Sequence, residues 1–450
     1  MKRNIVFSLL IVFLVIISGI ILIKNSKDNR VVNPTLVNTS IVTKNTTPGE
    51  TIVSPKNLLE KVQVFEYLSQ SPEMLNKKII FTKDAQENTQ EVVPPSNSTE
   101  PRFLFEADKI SREGNITAPI FKVFKNGIIL YSIRNDYVNP PILYIWLNGK
   151  LTELGRYSDY SVSPDGKTII LVENIRKDCY IKNLGIMDTI NYQKFYKILT
   201  EDKNLTPSLF FEENNNRCVY DGYDRDVIVG WSNEKNYKLL LQEDFSGQLQ
   251  GYKNNLFELD INNGKKDKRV SMEERTYLDN DTNYNNILTR VEDTACCANI
   301  NASNDQTFIY NLTNKAETKI FDEYLTYNNK EKAEEHNTEN AVFSPGSKYI
   351  AQTIKNFFRK CEDCEVYQES PILLVTDLSG KEIYKEDGLK FLGWVDSTDL
   401  LVKSGVTYTN SSKEFSFIEN SDEIVLVNVL TKERTSILKG DFKDVWILEN

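Results

Sequence analysis

Histidine is almost absent: the 450 residues contain one, His336, inside the charged stretch NKEKAEEHNTEN. A Ser–His–Asp triad needs an imidazole placed between a nucleophile and a carboxylate. With that one histidine in a solvated run, and no G-x-S-x-G elbow, a serine-hydrolase triad has no candidate. No P-loop or dinucleotide fingerprint occurs either, so the backbone cradles that hold phosphates are missing. An excess of basic charge is also lacking. Lys and Arg number 54 against 64 Asp and Glu, a net charge of −10. That balance excludes non-specific nucleic-acid binding, which needs a basic surface to displace counterions.

Long apolar runs are scarce too, and the exception is informative. Residues 5–23, IVFSLLIVFLVIISGIILI, carry no charge. A helix of that length spans roughly 30 Å, the hydrocarbon thickness of a bilayer. No A-x-A site and no lipidation cysteine follows it; Lys24-Asn25-Ser26-Lys27 does. A cleaved signal has a shorter apolar core and a small-residue site, so the run reads as an uncleaved transmembrane helix in contact with the lipid bilayer. Lys2 and Arg3 favour a cytoplasmic tip at residues 1–4, with the bulk of the chain extracytoplasmic. Residues 24–76 read as an extracytoplasmic linker. Within it, Pro55 and the spacing of Leu58, Leu59, Val62, Phe65 and Leu68 predict a short helix near 55–70.

From about residue 115 the chain repeats. The opening unit is a polar turn followed by an apolar strand: SPDGKTIILV at 163–172. It recurs as GWSNEKNYKLLL at 230–241, SPGSKYIAQ at 344–352 and GWVDSTDLLV at 393–402, with weaker copies at 124–132 and 283–291. Each is followed by a second signature of strand, polar turn and strand. ILYIWLNGKLTEL at 142–154 and ILLVTDLSGKEIY at 372–384 are examples. A recurring pair of signatures at this spacing indicates a repeat architecture. Nearly continuous apolar strands suit small sheets covered on both faces, as in a β-propeller. A β-sandwich would not need the same two signatures in every unit.

The SPDGK turn, the pairs Gly230-Trp231 and Gly393-Trp394, and the LDINNGK and TDLSGK turns resemble TolB-like (PD40-type, WD40-like) β-propellers over roughly 115–440. The resemblance implies blades that serve as protein-binding platforms in the cell envelope, or as non-catalytic gating domains attached to serine peptidases.

The predicted fold is therefore all-β, a six- or seven-bladed propeller over 77–450 preceded by one transmembrane helix. Unassigned strands at 78–82 and 102–107, with Val445–Leu448, favour seven blades and a closing blade composed from both ends of the chain.

The six cysteines are Cys179, Cys218, Cys296, Cys297, Cys361 and Cys364. On the repeat map all six fall in connections at one end of the ring. In an oxidising compartment an even count favours disulfides. The alternative is a four-cysteine zinc site from ACCAN and KCEDCE, but adjacent cysteines are poor tetrahedral chelators. Asp279, Asp281 and Asn283 alternate as calcium-loop ligands would, yet Arg290 stands where a bidentate Glu belongs, so a polar loop is expected. Asp221, Asp224 and Asp226 are read the same way. No catalytic set, cofactor or metal site emerges. The expected role is a membrane-anchored module binding an envelope protein or glycan. The alternative is a hydrolase or lyase with carboxylates at the propeller channel, which a cluster of buried acids at the channel mouth would favour.

Overall fold

The computed structural model describes residues 61–448, apart from 70–71, 75–76, 86–99, 113–114, 125, 135–138, 182–185, 214–223, 233–236, 246–253, 274, 292–305, 323–332, 360–365, 369, 411–416, 422 and 441. Residues 5–23 lie outside them. Among the described residues no helix is long and apolar enough to cross a membrane.

Seven antiparallel sheets, six of four strands and one of five, follow one another as blades. Blade 1 comprises Ile120–Val123, Ile129–Ile133, Ile142–Leu147 and Lys150–Arg156. Blade 2 comprises Asp159–Val162, Thr168–Ile181, Ile186–Leu199 and Ser208–Glu213. Blade 3 comprises Asp224–Trp231, Lys238–Phe245, Asn254–Asp260 and Lys266–Glu273. Blade 4 comprises Arg275–Asn280, Asn286–Val291, Gln306–Asn311 and Glu317–Asp322. Blade 5 comprises Ala333–Phe343, Tyr349–Arg359, Ile372–Asp377 and Glu382–Asp387, with Val366–Gln368 added beside its second strand. Blade 6 comprises Lys390–Trp394, Asp399–Ser404, Glu423–Asn428 and Arg434–Lys439. The first strands of blades 2 and 3, 3 and 4, and 4 and 5 touch, which identifies the first strand of each blade as the inner one.

Blade 7 is composite, as the unpaired end strands predict. Val445–Leu448 is its inner strand and pairs with Lys78–Asp84. That strand pairs with Lys61–Leu68, which pairs with the outer strand Arg102–Asp108. The chain therefore enters at the third position, turns inward to the second and crosses to the outside.

One expectation is corrected here. Residues 61–68 are a strand, not part of a helix near 55–70, so the propeller starts at Lys61 rather than at 77 and the linker shortens accordingly. Val62, Val64 and Tyr67 are buried. A register shift between Val64 and Phe65 breaks the two-residue alternation, and this imitates a helical period in the sequence.

Seven apolar clusters, one at each blade–blade interface, close the ring. The interface between the last two blades joins Ile79 and Phe81 of blade 7 to Leu401, Leu426 and Phe442 at the blade 6 side.

The SPDGK turn shows how sequence sets local structure. The Ser163 hydroxyl donates to Asp165 Oδ1 (2.6 Å) and accepts from the Thr168 N–H (2.9 Å), while Lys167 N–H donates to Asp165 Oδ1 (3.1 Å). Burial pushes the Asp165 carboxyl up, but the Ser163 and Lys167 hydrogen bonds outweigh it and hold the group below its usual range. Gly166 sits at φ +68°, where L side chains are strained, and a Cβ there would fall 1.8 Å from Asn126 Nδ2. Asn126 in turn donates to the Asp165 carbonyl at 2.6 Å, tying blade 1 to blade 2. Gly166→Ala is expected to cost about 1–2 kcal/mol from backbone strain alone, plus displacement of Asn126. Urea denaturation checks this; an unchanged midpoint would contradict it.

Candidate functional site

An antiparallel meander sorts its connections by end. Inner-to-second and third-to-outer turns lie at one end, second-to-third and outer-to-inner connections at the other. The first end is made of short turns such as Asn148-Gly149 and Ser163–Lys167. The second end carries accessory ribbons. In blade 2 the pairing runs from Thr168↔Leu199 out to Ile181↔Ile186. The inner strand covers it only to Val172, and the outer strand only from Gln193. Residues beyond those limits project as a two-stranded ribbon. In blade 5, Ala333–Glu339 pairs with Thr353–Arg359, and Val366–Gln368 adds a third strand. A hairpin of Thr407–Asn410 and Phe417–Asn420 leaves blade 6 at this end and touches the 366–368 strand. A fourth ribbon, Ile110–Arg112 with Asn115–Thr117, precedes blade 1.

Cys179 lies on the blade 2 ribbon, opposite Asp188. Cys218, Cys296, Cys297, Cys361 and Cys364 lie outside the described residues. His336 pairs with Asn356 in the blade 5 extension. It is therefore in a strand, where the charged composition suggested a loop.

The inner strands begin at the ribbon end. Ile120 is 66% exposed there. Beside it, Lys122 lies 3.6 Å from Asp159 and over the Tyr160 ring. Asp159 Oδ2 accepts the Ile228 N–H at 2.9 Å, so one carboxylate joins the inner strands of three blades. Burial pushes the Tyr160 hydroxyl up to about 12, keeping it protonated.

Beneath the rim, blades 3 and 4 each carry a diagonal ion pair at equivalent positions. In blade 3, Lys266 at the start of the outer strand lies over Phe257 and reaches Asp226 of the inner strand. In blade 4, Arg275 of the inner strand lies over Phe308 and reaches Glu317 of the outer strand at 2.8 Å. The charges are exchanged between the two ends. Strand twist brings these opposite corners of a blade to the same face, and long cationic side chains span the remaining gap across an aromatic ring.

Glu213 of blade 2 adds a second carboxylate to Lys266, at 2.5 Å. Asp226 is 5% exposed. Burial and a hydrogen bond to Glu213 hold the Asp226 carboxyl well above its usual range, with Lys266 opposing. Burial raises Glu213 too, but its bonds to Asp226 and Lys266 win and lower it. Burial lowers the Lys266 ammonium, and the two carboxylates more than restore it. Two carboxyls against one ammonium favour retention of a proton on Asp226, which lessens the net charge buried in the cluster. Gln193 closes it by accepting from the Asp226 N–H and donating to the Asp226 carbonyl, both at 2.8 Å.

Glycosidic carboxyl pairs stand about 5–9.5 Å apart to leave room for sugar or water. Glu213 and Asp226 both bind Lys266 instead, which occupies the space between them. These buried acids join blade 2 to blade 3, Glu213 and Lys266 from outer strands and Asp226 from an inner one.

Asp279 and Asp281 do not form a cation loop. Asp281 caps its own turn, accepting from Asn285 N–H and Asn286 Nδ2. Asp279 Oδ2 accepts the Phe343 N–H of blade 5 at 2.8 Å. Among the described residues, no group of three potential ligands is placed to hold a metal ion. Asp221 lies outside the described residues, and Asp224 is the first residue of the blade 3 inner strand. Glu213 and Lys266 were missed from sequence. The signal for Lys266 lies in aligned units: Phe257, Asp260 and Lys266 share the spacing of Phe308, Asn311 and Glu317.

No family model matches the chain. No curated protein sequence matches it either. Several solved structures are similar at low identity. TolB from Acinetobacter baumannii is 11% identical with a TM-score of 0.34; the match covers 72% of this chain and 62% of TolB, so it spans less than two thirds of that protein. Oligogalacturonate lyase from Vibrio parahaemolyticus is 12% identical with a TM-score of 0.40, covering 77% of this chain and 84% of the lyase. The periplasmic gluconolactonase of Pseudomonas aeruginosa is 8% identical with a TM-score of 0.42, covering 86% and 99%. TolB and two named enzymes are among them, and likeness at this level does not choose a function.

Proposed function

We propose that the chain is a membrane-anchored, extracytoplasmic propeller that holds a protein or glycan partner of the cell envelope on its ribbon-bearing end. The observation that carries this reading is the asymmetry of the ring. Outside blade 7 one end has only short turns, whereas the blade 2, 5 and 6 ribbons and the 110–117 hairpin all extend from the other. Apart from Ile110, which packs against the core between blades 7 and 1, no described ribbon residue belongs to a blade-interface cluster, so the ribbons have room for another use, and edge strands are natural docking elements. The uncharged run at 5–23 supports the anchor, and the placement outside the cytoplasm supports disulfides among the six cysteines.

The test shortens the blade 2 ribbon. Residues 175–192 are replaced by Asn-Gly, a two-residue turn that suits the Asn174↔Gln193 pair. The Gln193 clasp is kept. The shortened chain should melt as the wild type does and lose its partner in cross-linked membranes. A shortened chain that retains the same partner in the same yield would contradict the proposal.

A further inference from the structure

The chain holds three Asn-Gly pairs, all among the described residues: Asn126-Gly127, Asn148-Gly149 and Asn263-Gly264. The sequence puts the same chemistry at each. A main-chain nitrogen can attack the side-chain carbonyl of the asparagine before it, and glycine, with no side chain of its own, obstructs that attack least. Two groups must be free for the reaction to start. The glycine N–H has to lose its proton, and the asparagine carboxamide has to swing round to meet it. All three asparagines are exposed, so access to solvent does not separate them. Hydrogen bonding does.

At Asn126 both groups are held. The Gly127 N–H donates to the Phe124 carbonyl at 2.9 Å, and the Asn126 carboxamide donates to the Asp165 carbonyl at 2.6 Å. At Asn263 both are held again. The Gly264 N–H donates to the Asp260 carbonyl at 2.9 Å. The Asn263 carboxamide donates to Asp260 Oδ2 at 3.0 Å and accepts the Lys265 N–H at 2.8 Å. Asp165-Gly166 and Asp387-Gly388, which react more slowly by the same route, are closed at the glycine: Gly166 N–H donates to the Ser163 carbonyl and Gly388 N–H to the Pro371 carbonyl, each at 2.7 Å. Asn148 is the exception. Leu147 and Lys150 pair across a two-residue loop, which leaves the loop's own N–H groups outside the ladder. Among the described residues neither the Gly149 N–H nor the Asn148 carboxamide has a hydrogen-bond partner. The space around Gly149 is open, and a Cβ there would meet nothing within 4 Å.

We infer that Asn148 is a site of spontaneous covalent modification in the folded protein, converting to aspartate and isoaspartate while Asn126 and Asn263 are protected. The Gly149 nitrogen bonds to Asn148 Cγ. The bond from Cγ to the carboxamide nitrogen breaks, and ammonia leaves with the proton given up by the Gly149 N–H. Water then opens the cyclic imide at either carbonyl, giving aspartate or isoaspartate. Isoaspartate routes the main chain through the side-chain carbon and lengthens it by one atom. The loop holds Asn148 at φ +52° and Gly149 at φ +76°, the pair of positive values that a two-residue hairpin requires. The longer link cannot keep Leu147 opposite Lys150, so the modification frays the start of the blade 1 outer strand. The inference is independent of what docks on the ribbon end.

The test incubates the full-length chain, folded in detergent micelles, at neutral and mildly alkaline pH. Peptides from timed samples are read by mass spectrometry, and isoaspartate by methyl transfer with an isoaspartyl methyltransferase. Asn148 should convert first, at a rate that rises with hydroxide concentration. Asn126 and Asn263 must first give up their hydrogen bonds and should convert at least about tenfold more slowly. In urea the protection is lost, and the three sites should convert at comparable rates. Asn148→Asp carries the new charge without the longer main chain. It should keep slow amide exchange at Leu147 and Lys150, whereas the aged wild type loses it. Equal rates at the three sites in the folded chain would overturn the inference. So would an Asn148 that converts in urea but not when folded, or an aged wild type whose exchange at Leu147 and Lys150 is unchanged.

Discussion

Removal of residues 442–450 is expected to prevent the ring from closing. Phe442, Val445 and Leu448 are 1%, 6% and 3% exposed. Phe442 packs edge-on against Phe81 at 5.3 Å, and Ile447 lies against Gly393 of the blade 6 inner strand. Lys403, itself 2% exposed, donates to the carbonyls of Phe442 and Lys443. The deletion therefore removes two acceptors from a buried ammonium as well as opening a core. Buried aliphatic side chains contribute about 1.5–3 kcal/mol each, and loss of a core phenylalanine costs about 3–5 kcal/mol. Together these approach the ~5–15 kcal/mol that holds a whole domain folded. The Lys78–Asp84 strand would also become an open edge, which promotes association. The truncated chain should be aggregated or lack a cooperative melt. The milder Phe442→Ala should fold, destabilised by about 3–5 kcal/mol. A truncated chain with wild-type melting behaviour would show that the closing strand is dispensable.

The second large effect concerns pH. Burial raises the Asp279 carboxyl from 3.8 to about 7; the N–H groups of Phe343 and Asn280 oppose this and Asp281 adds to it. Because the folded state holds this proton more tightly, the group's stabilising contribution is complete below the unfolded value of 3.8 and is lost as pH rises to about 7. At one pKa unit per 1.36 kcal/mol, the loss is at most roughly 4 kcal/mol, less what the side chain's residual solvent contact screens. Asp279→Asn removes the titration and keeps an oxygen for the Phe343 N–H. The variant should equal the wild type near pH 4 and exceed it at pH 8, by several degrees in melting temperature. Asp226 titrates in both proteins and drops out of the difference. A difference that does not vary with pH would show that Asp279 is ionised throughout.

What could be read from sequence was what short-range rules decide. Ser163–Lys167 and its relatives fix a turn by local hydrogen bonds and one positive φ, so the six complete blades were visible in a single chain. The composite seventh blade followed from strands left unpaired at both ends. The Lys61–Leu68 strand was hidden because its bulge shifts the apolar alternation. The blade 2 ribbon was hidden because polar and apolar residues mix over 173–192 without a two-residue alternation, so the pairing of Glu173–Ile181 with Ile186–Lys194 has no local pattern. The Glu213–Asp226–Lys266 clasp joins residues from two blades. It has no local signal and becomes visible only when the units are aligned strand by strand, as Lys266 is against Glu317.

The central claim is that the two ends of the ring differ in use, the ribbon end being the one that meets a partner. Photo-reactive residues placed at Asn191 on the blade 2 ribbon and Tyr408 on the blade 6 hairpin sample that end. Gly149 and Ser379, in the short turns, sample the other. After irradiation of intact cells, adducts of one defined mass should form from positions 191 and 408, and not from 149 and 379. Adducts confined to 149 and 379, or none from any of the four positions, would contradict the claim.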